Sequence, residues 1–373
     1  ATIAATASAP LTLNTALAAH LTAAINSADY DGLIAEARLL PANGNAVRYQ
    51  FVLRPWLWWL TLGNNNRVFQ NLSAQEIVAK VFKDAGFSDY TFQLKTQPQK
   101  REYCLQYNES DFNFVSRLLE QEGIFWFFTH KEGKHTLVLA DDNSAFPAIS
   151  GGKKVKYQAT SSGARETGMI RQVELRLQGA HPGNDQSEQP KQLIAESDCA
   201  ALMAGHWFTL AEHDDKALNI DWLITAVSHE YDGERYRNRF TAIPKATPYQ
   251  PRYATPKPFM PTQTATVVGK NGEENWTDKL GRVKVQFPWD REGKNDETSS
   301  CWLRVATAWS GNGFGAQFIP RIGQEVVVSF IDGDPDKPLI TGCVYNGANA
   351  LPYALPANQT QSGIKTRSEK GFN

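Results

Sequence analysis

Six prolines fall within eighteen residues, at positions 244, 248, 251, 256, 258 and 261. Each fixes φ at about −65° and removes an N–H, so this stretch cannot pair as a central strand. It reads as a stiff linker, and it divides the 373-residue chain into a long N-terminal portion and a shorter C-terminal one.

The C-terminal portion carries the sharper pattern. Val283, Val285 and Phe287 alternate with Arg282, Lys284 and Gln286, the signature of a strand with one buried face. Further strands are predicted at Trp302–Val305, Glu325–Phe330 and Leu339–Tyr345, with glycines at 281, 311, 313, 315, 323, 333 and 342 between them. About five strands in some eighty residues fit a small closed barrel of the OB type. Trp289 and Trp302 are candidates for packing in this barrel. Beyond Asn346 the chain turns polar.

The N-terminal portion mixes α and β signals. Tyr49 to Leu62 (YQFVLRPWLWWLTL) reads as a strand, a break at Pro55 and a buried segment. Its Trp56, Trp58 and Trp59 sit among leucines, which favours a core or subunit interface over a carbohydrate platform. Ser73 and Glu76 form a capping box for a helix whose face is Ile77, Val78, Val81 and Phe82, stopped at Gly86. Tyr103–Tyr107 is a short strand, and Ser110 caps a second helix from Asp111 to about Glu122, with Phe112, Val115 and Leu119 on its stripe, widened by Phe114 and Leu118. Ile124–Phe128 and Thr136–Ala140 form a hairpin turned at Lys131–Gly133. Phe112, Leu118 and Trp126 are expected to stabilise this insert. On that basis Trp126→Ala would open a cavity costing roughly 3–5 kcal/mol. From Lys153 onward the signal is β, with strands at Val173–Leu177, Trp207–Leu210, Trp222–Ser228 and Arg237–Ile243, and a polar, exposed stretch at Asp185–Gln192. The first forty residues show no clear period.

Charge and composition exclude several classes. Lys plus Arg is 38 against 39 Asp plus Glu, so no basic excess supports nucleic-acid binding. No apolar run reaches the roughly 18 residues of a membrane helix. The Ala-rich start has no Lys or Arg before Arg38 and so lacks the basic region of a signal peptide. Cys104, Cys199, Cys301 and Cys343 form no CxxC and read as four free buried thiols.

Constellations that could carry chemistry have simpler readings. Asp332-Gly-Asp-Pro-Asp336 resembles part of a calcium loop, but Lys337 and Cys343 occupy its sixth and twelfth positions, so a turn is expected. His206, His213 and His229 are spaced too widely for a zinc site. Glu120, Glu122 and Asp111 could suggest paired carboxylates, but Glu120 and Glu122 point to different faces of a helix end. Gly311-Asn-Gly-Phe-Gly315 lacks the Lys and following helix of a phosphate loop. No catalytic, cofactor or metal residue is assigned.

Three segments, Arg101–Phe128, Leu280–Asp290 and Pro320–Asn346, together resemble the VgrG family, the trimeric spike of bacterial type VI secretion, which is similar to the hub and needle of contractile phage tails. The resemblance runs from about Arg54 to Asn373 and implies a mainly β fold with an α/β insert. Hub β-barrel domains would occupy 1–150, with the insert, and 151–245. The linker would span 246–261, an OB-fold neck 262–346, and the start of a β-stalk 347–373. It further implies a homotrimer that caps a hexameric tube, meets baseplate proteins and carries tip-sharpening or effector proteins. The spike would be assembled in the cytoplasm, expelled without a signal peptide, and would pass through a target membrane. No cofactor, catalysis or nucleic acid is implied. The alternative is a peptidoglycan- or carbohydrate-directed enzyme or binding module of a phage-tail-like particle.

Overall fold

The computed structural model describes residues 2–7, 20–25, 28–43, 46–131, 133–159, 166–177, 191–231 and 235–369. Most of the polar stretch expected at Asp185–Gln192 lies outside the described residues. Two compact units emerge. One comprises 1–62, 80–97 and 115–255; the other 63–79, 98–114 and 256–373.

In chain order the first strands are β1 (Thr2–Ala7), β2 (His20–Ile25), β3 (Ala28–Asn43), β4 (Ala46–Arg54) and β5 (Asn65–Ser73). Helix α1 (Ala74–Asp84), β6 (Tyr90–Gln93), β7 (Lys100–Glu109), α2 (Asp111–Gln121), β8 (Phe125–Lys131) and β9 (Lys134–Ala140) follow. Then come β10 (Lys154–Lys156), β11 (Ile170–Leu177), β12 (Lys191–Ser197), β13 (Trp207–Ala211), β14 (Asp221–Tyr231) and β15 (Tyr236–Pro244). The last are β16 (Gln263–Val268), β17 (Lys284–Gln286), β18 (Arg304–Val305), β19 (Glu325–Phe330) and β20 (Pro338–Val344).

The first unit is built on a ten-stranded sheet whose main path is β11-β12-β15-β14-β1-β4-β3-β2, with β13 on β14 and β10 on β13. Along the main path, two antiparallel halves meet at one parallel pair, Thr2 opposite Glu230 and Ile3 opposite Tyr231; off it, β10 pairs parallel with β13. Within the unpatterned first forty residues, β1, β2 and β3 therefore form through pairing with one another, with β4 and with β14 rather than through their own period. Trp222, Phe208, Phe240, Ile224 and Leu193 fill the core of the C-terminal half of this sheet. A second, three-stranded sheet, β6-β9-β8, buries Phe125 and Phe127 with Phe146, Leu223 and Ile243.

Both helices start as their local chemistry dictates. The Ser73 N–H donates to Glu76 Oε2 at 2.7 Å and the Glu76 N–H to Ser73 Oγ at 3.3 Å, a reciprocal capping box. At α2 the Asn113 N–H donates to Ser110 Oγ at 3.1 Å. The buried stripe of α2 is Phe114, Val115, Leu118 and Leu119, while Phe112 is only half-buried. The stripe is thus shifted by a residue or two from the i, i+3, i+7 set, because the helix turns Phe114 and Leu118 fully inward.

The second unit centres on a five-stranded barrel, β17-β16-β19-β20-β18. Its ends meet where Val283 and Leu303 exchange two hydrogen bonds, of 3.0 and 2.7 Å, which closes the barrel and removes its open edges. Val267, Val283, Val285, Phe287, Leu303, Val326, Val328 and Ile340 fill it, joined by Tyr103 and Leu105 of β7. Strands β5 and β7 pair with each other in this same unit.

Three expectations are corrected. Trp126 is 40% exposed, because β8 alternates and Phe125 and Phe127 take the inward face. Its ring still lies 6.1 Å from that of Phe128. Trp126→Ala is now expected to cost about 1 kcal/mol in a denaturant titration, well below the cost of emptying a core position. A loss above about 3 kcal/mol would restore the buried assignment. Of the two alternatives for Trp59, the core is excluded and the subunit interface stays open, since Trp59 is exposed on the short turn Trp56–Thr61. The four cysteines are free, but only Cys104 and Cys301 are buried; Cys343 is exposed on β20.

Candidate functional site

The tryptophan candidates separate into core and surface. Trp56 is buried, stacked on Phe87 at 4.7 Å and edge-on to Phe82 at 5.0 Å. Trp58 and Trp59 form a T-shaped pair at 6.5 Å. Trp289 stacks on Phe287 at 5.0 Å and donates its Nε1–H to Gln263 Oε1 at 2.7 Å, and Gln263 in turn donates to the Tyr107 hydroxyl. Trp302 stacks on Trp276 at 6.5 Å with the Lys284 ammonium 5.3 Å from its ring. Leu118 is fully buried.

The carboxylates have structural duties. Asp111 accepts from Arg67, from Gln106 Nε2 at 2.8 Å and from Asn65 Nδ2 at 2.9 Å. Glu120 accepts from the Ala254 and Thr255 N–H groups at 3.0 and 2.9 Å and from the Thr255 hydroxyl at 2.7 Å, and so pins the end of the first unit's chain to α2. Glu122 lines an open, roughly 500 Å³ cleft with Asp141, Asp142 and Lys245. Asp141 is committed there to the Lys95 and Thr96 N–H groups. No nucleophile and base are brought together by these three carboxylates.

The Asp332–Asp336 turn holds an internal cation. Lys257 Nζ bridges Asp334 and Asp336, and the other Asp336 oxygen accepts the Leu105 N–H at 2.7 Å. The Asp334 carboxyl sits below its ordinary range. Burial opposes this shift, but the Lys257 and Asp336 hydrogen bonds outweigh it. The three histidines lie apart: His206 beside the Ala204 carbonyl, His213 accepting from the Asp215 N–H, His229 on the Tyr236 hydroxyl at 2.6 Å. Among the described residues, no group of three or more His, Cys, Asp or Glu is placed to hold a metal ion.

The feature not anticipated is a display of large apolar side chains on the barrel unit. Trp309, Phe314 and Phe318 are 64%, 61% and 63% exposed, and Leu280 is 69% exposed. Tyr345 is also exposed. Trp309 and Phe314 belong to a tight hairpin in which the Gly311 N–H donates to the Phe314 carbonyl and the Ala316 N–H to the Trp309 carbonyl, both at 2.8 Å. The two rings meet edge-to-face at 5.4 Å. Glycines make this possible. A Cβ on Gly311 would stand 2.5 Å from the Phe314 ring, and one on Gly315, at φ 141°, 2.4 Å from the Trp309 carbonyl oxygen. The glycine pattern that superficially suggests a phosphate loop instead fixes a rigid aromatic pair. Isolated exposed aromatics are ordinary; a paired and glycine-fixed set such as Trp309 and Phe314 is a candidate contact surface.

A family model for the phage tail baseplate hub (GPD) matches residues 1–183 and 184–234. A second, for the type VI secretion system and phage-baseplate injector OB domain, matches residues 263–345. The type VI secretion system spike protein VgrG1b of Pseudomonas aeruginosa is 37% identical over 92% of this chain. The chain belongs to the phage tail baseplate hub family, in its VgrG spike branch. A further member of that branch, VgrG3 of Vibrio cholerae, is 33% identical over 87% of the chain. The chain spans 55% and 38% of these two relatives' own lengths. In fold it is similar to the E. coli c3393 protein, a type VI secretion component described as structurally similar to the T4 tail proteins gp27 and gp5 (TM-score 0.74, 24% identity, 92% of each chain covered). The mainly β fold with hub and OB domains is that of the spike branch.

Proposed function

We propose that this chain is the hub and neck of a type VI secretion spike, a homotrimer that caps the secretion tube and carries effectors, with a mechanical role and no catalysis of its own. Residues 1–245 act as hub, 246–261 as linker, 262–346 as neck, and 347–373 begin the stalk. The spike is assembled in the cytoplasm and expelled. Among the described residues no helix is long and apolar enough to span a membrane. What supports the reading is the Trp309–Phe314 pair, with Phe318 four residues farther along and Leu280 on the same unit, all largely exposed. In a cyclic assembly each copy offers such a patch to the next. Trp58, Trp59 and Trp126 are further interface candidates, and the hexameric tube and baseplate proteins are the partners proposed for the hub.

Sedimentation equilibrium tests this. The expected mass is near three times 41.5 kDa. Trp309→Ala with Phe314→Ala should weaken association at least tenfold, an effect of about 1.4 kcal/mol or more, while leaving the fold intact. A monomer at every concentration would refute assembly by hub and neck alone.

A further inference from the structure

We propose that Asp31, His130, His135 and the Trp56 amide form a latch that holds β3 and the Trp56 turn to the β8–β9 hairpin at neutral pH, and that a proton on His130 releases β3 from it on acidification. Three hydrogen bonds tie the four residues and meet at Asp31, whose carboxylate and main-chain N–H serve different rings. The Trp56 N–H donates to His135 Nε2 at 2.8 Å. His135 Nδ1–H donates to the Asp31 carboxylate. The Asp31 N–H donates to His130 Nδ1 across a long 3.4 Å bond. The side chains of His135 and Asp31 are almost wholly buried. The two imidazoles stack at 5.9 Å with 26° between their planes.

The chemistry of the rings supplies the switch. Each imidazole uses one nitrogen lone pair to accept a backbone N–H from the N-terminal segment. An imidazolium has no lone pair to offer. A proton on His130 therefore removes an acceptor and leaves the Asp31 main-chain N–H without this partner. The same bonds also exclude a hydrolytic reading of the Asp31–His135 pair, since the nitrogen a general base would use is already occupied by Trp56.

The groups around His130 set the direction. Facing it are Asp31 from β3, His135 from β9 and, farther off, His206 ahead of β13 and His229 on β14. The lysines of its own hairpin, Lys131 and Lys134, are exposed. Burial, and then the charge His135 would carry, hold the His130 imidazole down at about 4, with Asp31 opposing more weakly. An unfolded histidine takes its proton near pH 6.5. Because the folded value is the lower one, the contribution of His130 is complete above pH 6.5 and is lost as pH falls from 6.5 through about 4.

Hydrogen exchange of the full chain, read by mass spectrometry and corrected for the intrinsic rate at each pH, tests the latch. Between pH 7.5 and 4.5, peptides carrying the Asp31 amide should lose at least tenfold in protection while β16–β19 peptides, in the unit without histidines, hold theirs. His130→Asn puts an oxygen acceptor near the Nδ1 position that cannot take a proton, and should move the loss at Asp31 at least one pH unit lower. Three results overturn the proposal: protection at Asp31 that is flat to pH 4.5, loss shared equally by β16–β19, or an unaltered profile in His130→Asn. If that variant fails to fold, the wild-type profile alone decides.

Discussion

Trp222→Ala is expected to lower the stability of the first unit by about 4–5 kcal/mol, near the upper end for an aromatic core deletion. Trp222 on β14 is completely buried among Phe208, Phe240, Ile224 and Leu193. It sits opposite Phe208 on β13 and Pro244 on β15, so the hole left by its indole would be walled by sheet backbone that cannot collapse. Its Nε1–H donates to the Leu218 carbonyl at 2.9 Å, and the Lys191 ammonium lies 5.5 Å from its ring. Trp222→Phe should restore most of the volume and leave about 1–2 kcal/mol unrecovered, the cost of the orphaned carbonyl. A urea titration, with the transition assigned to this unit by hydrogen exchange, measures both. A loss below about 1 kcal/mol for the alanine variant would mean that the sheet can close around the cavity.

Asp111→Ala is the second large effect, expected at about 3–5 kcal/mol in the other unit. The carboxylate gathers Arg67, Gln106 and Asn65, and Gln106 also accepts from Arg67 Nε at 2.9 Å. Arg67 and Gln106 are buried. Removing the carboxylate leaves a desolvated guanidinium without this counter-charge, which costs far more than the pair contributes when intact. Replacing both Arg67 and Asp111 by Met and Leu should therefore recover much of the loss. A denaturation midpoint for Asp111→Ala equal to wild type would show that the guanidinium reaches water once the carboxylate is gone.

What could be read along the chain depended on the range of the forces involved. The Ser73–Glu76 box and the Ser110 cap were legible because both partners lie within one helical turn. The alternation around Val283, Val285 and Phe287 was legible because one face of β17 is core and the other is not. Trp126 was misplaced because Ile124–Phe128 is apolar at every position, so no alternation marks which face turns inward. The cation in the Asp332–Asp336 turn was out of reach, since Lys257 lies in the proline stretch and meets the turn only in three dimensions. The aromatic platform was half-visible. The glycines flanking Trp309 and Phe314 announced a tight turn, but exposure depends on what the rest of the unit fails to cover. The same limit hid the Asp31–His135 pair, whose residues lie 104 positions apart.

The Glu120 and Lys257 contacts carry a mechanical meaning. Glu120 grips the main chain at Ala254 and Thr255; Lys257 is anchored between Asp334 and Asp336. Pro256 alone lies between the two moorings, and its ring leaves it a narrow range of φ. A pull on the chain at Pro256 would therefore load the Glu120 hydrogen bonds on one side and the Lys257 ion pairs on the other, with one stiff residue of slack between them.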